Sequence, residues 1–221
     1  MTYDPPQGAT TRTGLTREAV AQAALELLDR EPLEALSMRR LAAELDVGTM
    51  TLYGYFRSKQ ELLDAVVDAA AATAIPDVLD AGGWRERLEQ ILVSLYRGLT
   101  RHPGIVRLRV DRPISSPAAM RVAEVALQLL EEAGLRRGEA VRAYRTLFVY
   151  TFGAAAFSQG GPDTRARTRA ALAELPDDEF PVVAAAVRDL TSVLDDESQF
   201  AHGLRLLLDG VEHQTGLSSQ S

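Results

Sequence analysis

Hydrogen-bonding and aromatic side chains are concentrated in one seven-residue stretch, TMTLYGY, from Thr49 to Tyr55. Threonine and tyrosine hydroxyls bind phosphates and base edges, and a thioether or methyl group suits the methyl group of thymine. A glycine within such a stretch lets a partner approach the backbone closely. The residues expected to face outward are Thr49, Met50, Thr51, Tyr53, Gly54 and Tyr55. This combination of side chains predicts a surface that contacts DNA.

Basic residues flank this stretch, although the chain as a whole is acidic. The net charge of −7 argues against a protein that coats nucleic acid through a broad cationic surface. Between positions 37 and 60, however, four basic residues accompany only two acidic ones. Arg39, Arg40 and Lys59 are therefore candidate phosphate contacts, and Lys59 is the only lysine of the chain. For the two arginines, an ordinary solvated face remains the alternative.

Motifs typical of enzymes are missing from the sequence. It has no cysteine, no G-x-S-x-G, no H-E-x-x-H and no P-loop, and its three histidines fall in separate contexts. We therefore expect no catalytic residue, no metal site and no cofactor.

Helices must position the candidate residues, because the apolar residues recur at helical spacing. One apolar stripe runs from Leu15 to Leu28, and Thr16 is suited to cap that helix. Ser37 is suited to cap a short helix that extends to Leu45. The S-x-x-E pattern from Ser58 to Glu61 is typical of a capping box at the start of a longer helix.

A tight corner separates the two short helices. Asp46 and Gly48 tolerate the left-handed backbone that such a corner requires, and Val47 is expected to point inward. A short helix, a corner and a second short helix make up the helix-turn-helix plan, whose second helix lies in the major groove of DNA. Leu52 and Phe56 occupy its inward positions, which leaves Tyr53 and Tyr55 outward, although a core role is the usual alternative for such tyrosines.

The rest of the chain also predicts helices, and no segment alternates as a strand does. The longest apolar stretches are far shorter than a membrane span, and the N-terminus lacks a secretory signal, so we expect a soluble, cytoplasmic protein. A long helix over 137–157 is apolar on more than one face, so it is either central in the fold or shared with a second chain. We expect a homodimer formed by this helix and one near 197–212, with Leu207 and Val211 in the interface.

The stretch SMRRLAAELDVGTMTLYGYFRSKQELLDAV resembles the TetR/AcrR family of transcriptional regulators, and the similarity extends over residues 15–70. Its core elements are LAAEL, TLY, YF and the SK-ELL that opens the next helix. Asp46 departs from the family, which usually has glycine at the turn. The segments WRERLEQI, RHPG and FAHGLRLLLDGVE within 77–213 are similar to the C-terminal domain of tetracycline repressors.

The resemblance implies an all-α protein with an N-terminal three-helix helix-turn-helix domain and a larger helical domain for ligand binding and dimerisation. We assign residues 1–14 to a flexible arm, 15–76 to the DNA-binding domain, 77–213 to the ligand-binding domain and 214–221 to a disordered tail. The implied function is a repressor that a small molecule releases from a palindromic DNA operator. The alternative is an all-helical ligand-binding or interaction protein that does not bind DNA.

Five residues of the C-terminal domain are candidates for ligand contact: Tyr96, His102, Arg107, Phe148 and Phe152. The pocket is expected among the helices that start near Trp84, Arg101, Pro117 and Arg137. Relatives that bind a metal–antibiotic complex use a histidine near the position of His102, but a histidine before Pro-Gly also suits a helix C-terminus. The three aromatic residues suit the core equally well, and the arginine suits the surface.

Overall fold

The structure is a computed structural model, and it describes residues 14–72, 82–110, 116–159, 162–176, 178–193 and 197–218. These residues form eleven α-helices and one turn of 3-10 helix. No strand occurs in these ranges, so the all-α prediction is confirmed. The helices are α1 (Arg17–Arg30), α2 (Met38–Glu44), α3 (Thr49–Tyr55), α4 (Lys59–Ala72), α5 (Trp84–Arg101), α6 (Pro103–Val110), α7 (Pro117–Glu132), α8 (Arg137–Phe157), α9 (Pro162–Ala173), α10 (Pro181–Ser192) and α11 (Glu197–Ser218).

Helices α1 to α4 form an N-terminal bundle because each turns an apolar stripe toward one core. Two predicted caps are present. The Thr16 hydroxyl accepts a hydrogen bond from the Ala19 backbone at 3.1 Å, and the Ser37 hydroxyl accepts one from the Arg40 backbone at 3.0 Å. The fully buried side chains of this core include Leu27, Leu28, Leu41, Leu52, Phe56, Leu62 and Val66.

The corner between α2 and α3 agrees with the prediction at Asp46 but not at Gly48, whose φ of −69° lies outside the left-handed region. Asp46 has a φ of 51°, in the left-handed region that Asp tolerates better than most residues, and Gly48 is the N-cap of α3. Val47 is partly buried and packs against the core. The corner thereby fixes the angle at which α3 leaves α2.

The C-terminal domain is built around α5, α7 and α8, which pack against one another, and α11 packs against α8 and α5. The buried side chains at these contacts include Leu88, Ile91, Leu129 and Leu147. Helix α6 packs against α1, and α7 packs against α4, so the two domains share long contacts. None of the described helices is long and apolar enough to cross a lipid bilayer.

One boundary predicted from the sequence is wrong. Helix α11 continues to Ser218, so residues 214–218 are helical and not a disordered tail. The reason is tertiary: Thr215 lies beside Gly134, which has a φ of 100° at the end of α7, so the last turns of α11 lie against the corner that joins α7 to α8. Residues 1–13 of the predicted arm, the predicted boundary at 76–77 and residues 219–221 lie outside the described residues.

Candidate nucleic-acid interface

The outer face of α3 presents the polar and aromatic side chains that the sequence singles out. Met50 is 81% exposed and Tyr53 is 45% exposed, while Thr49 and Thr51 are half-buried at the start of the helix. Gly54 is exposed, and a Cβ added to it would meet no atom within 4 Å. Leu52 alone among the seven residues of α3 is buried. One side of α3 therefore anchors the helix, and the other is accessible along its length.

Tyr55 does not lie on this outer face, so the expectation that it points outward is wrong. Its ring is partly buried against the core, and its hydroxyl donates a hydrogen bond to the Leu15 backbone carbonyl at 2.8 Å. Tyr55 follows Leu52 by three positions and therefore lies on nearly the same face of a helix. The tyrosine links the end of α3 to the segment before α1.

Arg17 supports the same end of α3, a role that no sequence pattern indicated. Its guanidinium donates hydrogen bonds to the Tyr55 carbonyl and, at 2.9 Å, to the Glu61 carboxylate. It also lies over the Phe56 ring, 4.1 Å from the ring centroid. A cation at a helix C-terminus is favourable because the last carbonyls carry partial negative charge. Arg17 thereby joins α1, the end of α3 and the start of α4.

The capping arrangement at the start of α4 differs in one detail from the predicted box. The Ser58 hydroxyl accepts a hydrogen bond from the Glu61 backbone at 3.1 Å, as predicted, but the Glu61 carboxylate accepts one from the Arg57 backbone at 2.8 Å. This backbone hydrogen bond, followed by the one from Arg17, holds the pKa of the Glu61 carboxyl below its usual range. The carboxylate is therefore ionised at neutral pH and fixes the link between α3 and α4.

The two arginines of α2 are in different situations. Arg40 forms ion pairs with Glu31 and Glu44, at 2.7 and 2.9 Å, and these carboxylates raise the pKa of its guanidinium. Arg39 is exposed, and its side chain has no hydrogen-bond or ion-pair partner in the described part of the chain. Arg39 is thus the arginine of α2 that is available to a phosphate.

Lys59 lies at the first position of α4 and is half-buried. Its ammonium group donates a hydrogen bond to the Leu33 backbone carbonyl at 3.3 Å. An ammonium group carries three donors, so this contact leaves capacity for a phosphate. Arg57, two residues earlier, is exposed and adds a cation that sequence patterns did not single out as a site.

The candidate ligand residues of the C-terminal domain fall into three separate settings. Tyr96 is buried, stacks on the Phe200 ring with the centroids 4.0 Å apart, and hydrogen bonds through its hydroxyl to the Ser158 hydroxyl at 2.9 Å. These contacts are those of a core aromatic residue. The Tyr150 ring also stacks on the Phe200 ring, with the centroids 5.6 Å apart, and burial raises the pKa of its hydroxyl.

Phe148 and Phe152 are half-buried and form a ladder along α8 with Tyr144. The Phe148 ring centroid lies 4.6 Å from that of Phe152 and 5.8 Å from that of Tyr144. Their spacing of four residues places the three rings along one edge of the buried face. This row of aromatic rings gives α8 a surface on which a flat molecule could stack.

His102 and Arg107 lie at the junction of the two domains. The His102 ring lies 2.8 Å from the Asp29 carboxylate, and the Arg107 guanidinium donates a hydrogen bond to the Leu28 carbonyl. Both partners belong to the end of α1. Arg107 is exposed, as the surface alternative implies, and its guanidinium also contacts the backbone of α1. No group of His, Asp and Glu that could hold a metal ion occurs among the described residues.

Helices α8 and α11 border an open groove of about 450 Å³, whose lining includes Arg142, Thr146, Leu206 and Gly210. Val149 on α8 is 49% exposed and Leu206 on α11 is 59% exposed. Leu207 is half-buried, and Val211 is only 6% exposed, because it packs inside the chain. Val211 is therefore a core residue of the single chain, contrary to the prediction from the sequence.

Comparison with known protein families gives two matches that together span most of the chain. Residues 21–66 match the family described as bacterial regulatory proteins, tetR family. Residues 76–215 match the family described as tetracyclin repressor-like, C-terminal domain. The first match contains α2, α3 and the corner between them.

Curated relatives match over nearly the whole chain. The HTH-type transcriptional repressor DrrR1 of Streptomyces coeruleorubidus is 37% identical over 214 residues, which cover 90% of this chain and 77% of the relative. The class A tetracycline repressor from transposon 1721 in Escherichia coli is 30% identical over 203 residues, covering 90% of this chain and 91% of the relative.

Solved structures show the same fold. Apo ActR from Streptomyces coelicolor superposes with a TM-score of 0.78 at 30% identity, covering 94% of this chain and 100% of ActR. The structure of ActR in complex with actinorhodin superposes with a TM-score of 0.75 at 31% identity, covering 91% of this chain and 99% of that one.

Proposed function

This chain belongs to the TetR family of DNA-binding transcriptional regulators, and on that premise we propose that it represses transcription from an inverted-repeat operator. Members of this family are ligand-responsive transcription factors and not enzymes, and they act as dimers. Binding of a small molecule in the C-terminal domain would release the DNA. A regulator that acts on bacterial chromosomal DNA works in the cytoplasm, and we place this protein there.

The observation that carries the proposal is the accessible face of α3 within a helix-turn-helix. We assign Thr49, Met50, Thr51 and Tyr53 to the bases and nearby phosphates of one major groove, with Gly54 allowing close backbone approach. Arg39 and Lys59 would bind phosphates on either side of it. Arg40 and Tyr55 keep supporting roles, because their polar groups already bind within the chain.

Dimerisation would use the surface of α8 and α11 that exposes Val149 and Leu206. Two-fold symmetry would place two copies of α3 about 34–36 Å apart, one turn of DNA or a multiple of it, which implies an operator with two inverted half-sites. The exposed aliphatic side chains on both helices support this choice, since the same patch on two copies would bury them against each other.

The effector would be a small molecule with a flat aromatic part. The ladder of Tyr144, Phe148 and Phe152 supports this class, because offset stacking on such rings is favourable. The complex of ActR with actinorhodin shows that a related regulator binds a small molecule. Binding here would weaken DNA affinity through a coupling of about 1–3 kcal/mol in both directions.

Selection of duplexes from a random library by the purified full-length protein tests the proposal. The expected product is an inverted repeat that binds the protein at least about a thousandfold more tightly than a scrambled duplex of equal length. Recovery of no preferred sequence at low or moderate salt would instead favour the rival function, a helical protein that binds ligands or other proteins without reading DNA.

A further inference from the structure

The end of α1 meets the start of α6 through one carboxylate. Asp29 accepts a hydrogen bond from the Gly104 backbone N–H at 3.0 Å through one oxygen, and its other oxygen lies 2.8 Å from the His102 ring. Gly104 is the second residue of α6, where backbone N–H groups lack partners inside the helix. Asp29, which belongs to the DNA-binding domain, therefore caps a helix of the regulatory domain.

The contact at this junction is tight as well as polar. A Cβ on Gly104 would come within 2.8 Å of Leu28 backbone and side-chain atoms, so only glycine fits without displacement. Arg107, one turn along α6, donates a hydrogen bond to the Leu28 carbonyl. The negative end of the α1 dipole thus faces the positive end of the α6 dipole, an arrangement that favours contact.

A second carboxylate makes an equivalent contact between α4 and α7. Asp68, on α4, accepts a hydrogen bond from the Ala118 backbone N–H at 2.7 Å. The Ser116 hydroxyl accepts the next N–H, that of Ala119, at 3.0 Å. The first turn of α7 is thus capped partly by its own N-cap serine and partly by an aspartate of the DNA-binding domain.

We infer that Asp29 and Asp68 are the positioning residues that transmit rearrangement of the regulatory domain to α1 and α4. This inference rests on the proposed function. Helices α1 and α4 flank α3, since Arg17 of α1 holds the end of α3 and α4 begins four residues after it. A shift of α6 or α7 therefore moves the helices that support α3, and the spacing between the two copies of α3 changes with them.

The hydrogen bonds differ in one respect from the apolar packing around them. Leucine contacts persist through small sliding movements, but a carboxylate loses its N–H partner once the helix end moves beyond about 3.5 Å. A small displacement of the helix end would therefore break each of these hydrogen bonds. A contact that is either made or broken can couple two distant sites.

Hydrogen exchange in the full-length protein tests this inference without knowledge of the effector, because coupling is reciprocal and DNA itself is the probe. The duplex selected by the wild-type protein should slow exchange of the Gly104 and Ala118 amides by at least about fivefold, the lower end of typical couplings. Asp29→Ala should abolish this slowing at Gly104, and Asp68→Ala should abolish it at Ala118, while both variants still bind the duplex. Asn at either position keeps one acceptor oxygen and should retain part of the slowing, which provides a readout if an alanine variant does not fold.

Glu26→Ala on α1 and Asp64→Ala on α4 are the matched controls, because each removes a carboxylate one turn before the aspartate of interest. In both controls, duplex binding should slow exchange of the Gly104 and Ala118 amides as much as in the wild-type protein. The inference is overturned if duplex binding slows neither amide in the wild-type protein, or if the aspartate variants respond as the controls do. Failure of the proposed function gives a different result, since no duplex would then be selected.

Discussion

The outer face of α3 and the surface of α8 and α11 both expose large side chains to solvent, but they differ in chemistry. The face of α3 combines Met50 and Tyr53 with threonine hydroxyls and is flanked by the cations Arg39 and Lys59. The surface of α8 and α11 exposes aliphatic side chains such as Val149 and Leu206. The first suits a polyanion with base edges, and the second suits an identical aliphatic surface. The groups around an exposed apolar side chain thus indicate which kind of partner its surface suits.

The two surfaces also differ in how they are held. Helix α3 has only two turns and one buried side chain, so the contacts of Arg17 and Tyr55 must fix its end. Helices α8 and α11 are 21 and 22 residues long and pack against each other directly. The position of α3 therefore depends on a few single hydrogen bonds, whereas α8 and α11 are held by packing along their length.

The largest expected effect comes from charging the aliphatic surface. Val149→Glu combined with Leu206→Glu should convert the dimer into a monomer, because two pairs of carboxylates would face each other across the two-fold axis. Operator affinity should fall at least about a hundredfold, toward non-specific binding. Light scattering and a binding titration measure the two effects.

Met120→Glu, which also charges an exposed apolar side chain but on α7, is the control and should leave the dimer intact. A double variant that remains dimeric and binds the operator normally would show that the interface lies elsewhere.

Removal of a cation that binds phosphate should have a smaller effect. Lys59→Ala or Arg39→Ala should weaken binding to operator and scrambled duplexes alike and reduce the salt slope by about one for each phosphate that is no longer neutralised. Arg40→Ala is the comparison, because its guanidinium is occupied by Glu31 and Glu44. If Arg40→Ala changes the salt slope as much as Arg39→Ala does, the distinction between the two arginines fails.

Removal of one support of α3 should lower stability more than specificity. Tyr55→Phe deletes the hydrogen bond to the Leu15 carbonyl and should reduce the free energy of unfolding by about 0.5–1.5 kcal/mol. The ratio of operator to scrambled affinity should stay unchanged. Urea unfolding measures the free energy of unfolding. A lower ratio of operator to scrambled affinity without a loss of stability would show that Tyr55 contacts DNA.

The smallest effect is a pH dependence at Glu61. The pKa of this carboxyl is lowered in the folded protein by the hydrogen bond from the Arg57 backbone and by the one from Arg17. The carboxylate therefore contributes to the free energy of unfolding above the pKa of the unfolded chain, about 4.3, and this contribution is lost as the pH falls through the pKa of the folded protein. The stability difference between the wild-type protein and Glu61→Gln should therefore be constant at neutral pH and shrink below about pH 4.3. Glu34→Gln is the control, and a difference for Glu61→Gln that stays the same in strong acid would contradict the assignment.

Local patterns predicted much of the fold. The caps at Thr16 and Ser37, the corner at Asp46 and the bounds of α3 depend on residues within a few positions of one another, so the sequence contains the necessary information. The bounds of α8 followed from its apolar residues in the same way. The family resemblance supplied the function, which helical periodicity alone does not determine.

Contacts between distant segments could not be predicted in this way. Tyr55 reaches Leu15 across 40 positions, and Arg17 reaches Glu61 across 44. Whether a half-exposed tyrosine points to solvent or to a backbone carbonyl depends on where another helix begins in space. The same limit applies to Asp29 and Asp68, whose partners lie 75 and 50 positions away. Nothing in the local sequence distinguishes these residues from solvent-exposed side chains.

The central claim, that the exposed face of α3 reads DNA sequence, is tested most directly at Tyr53. The measurement is the affinity of the wild-type protein and of Tyr53→Ala for the selected operator and for a scrambled duplex, at one salt concentration. The substitution removes an exposed side chain and should leave stability unchanged within about 0.5 kcal/mol. We expect the ratio of the two affinities to fall by a factor equivalent to about 1–3 kcal/mol per half-site. An unchanged ratio in a stable, dimeric variant would contradict it.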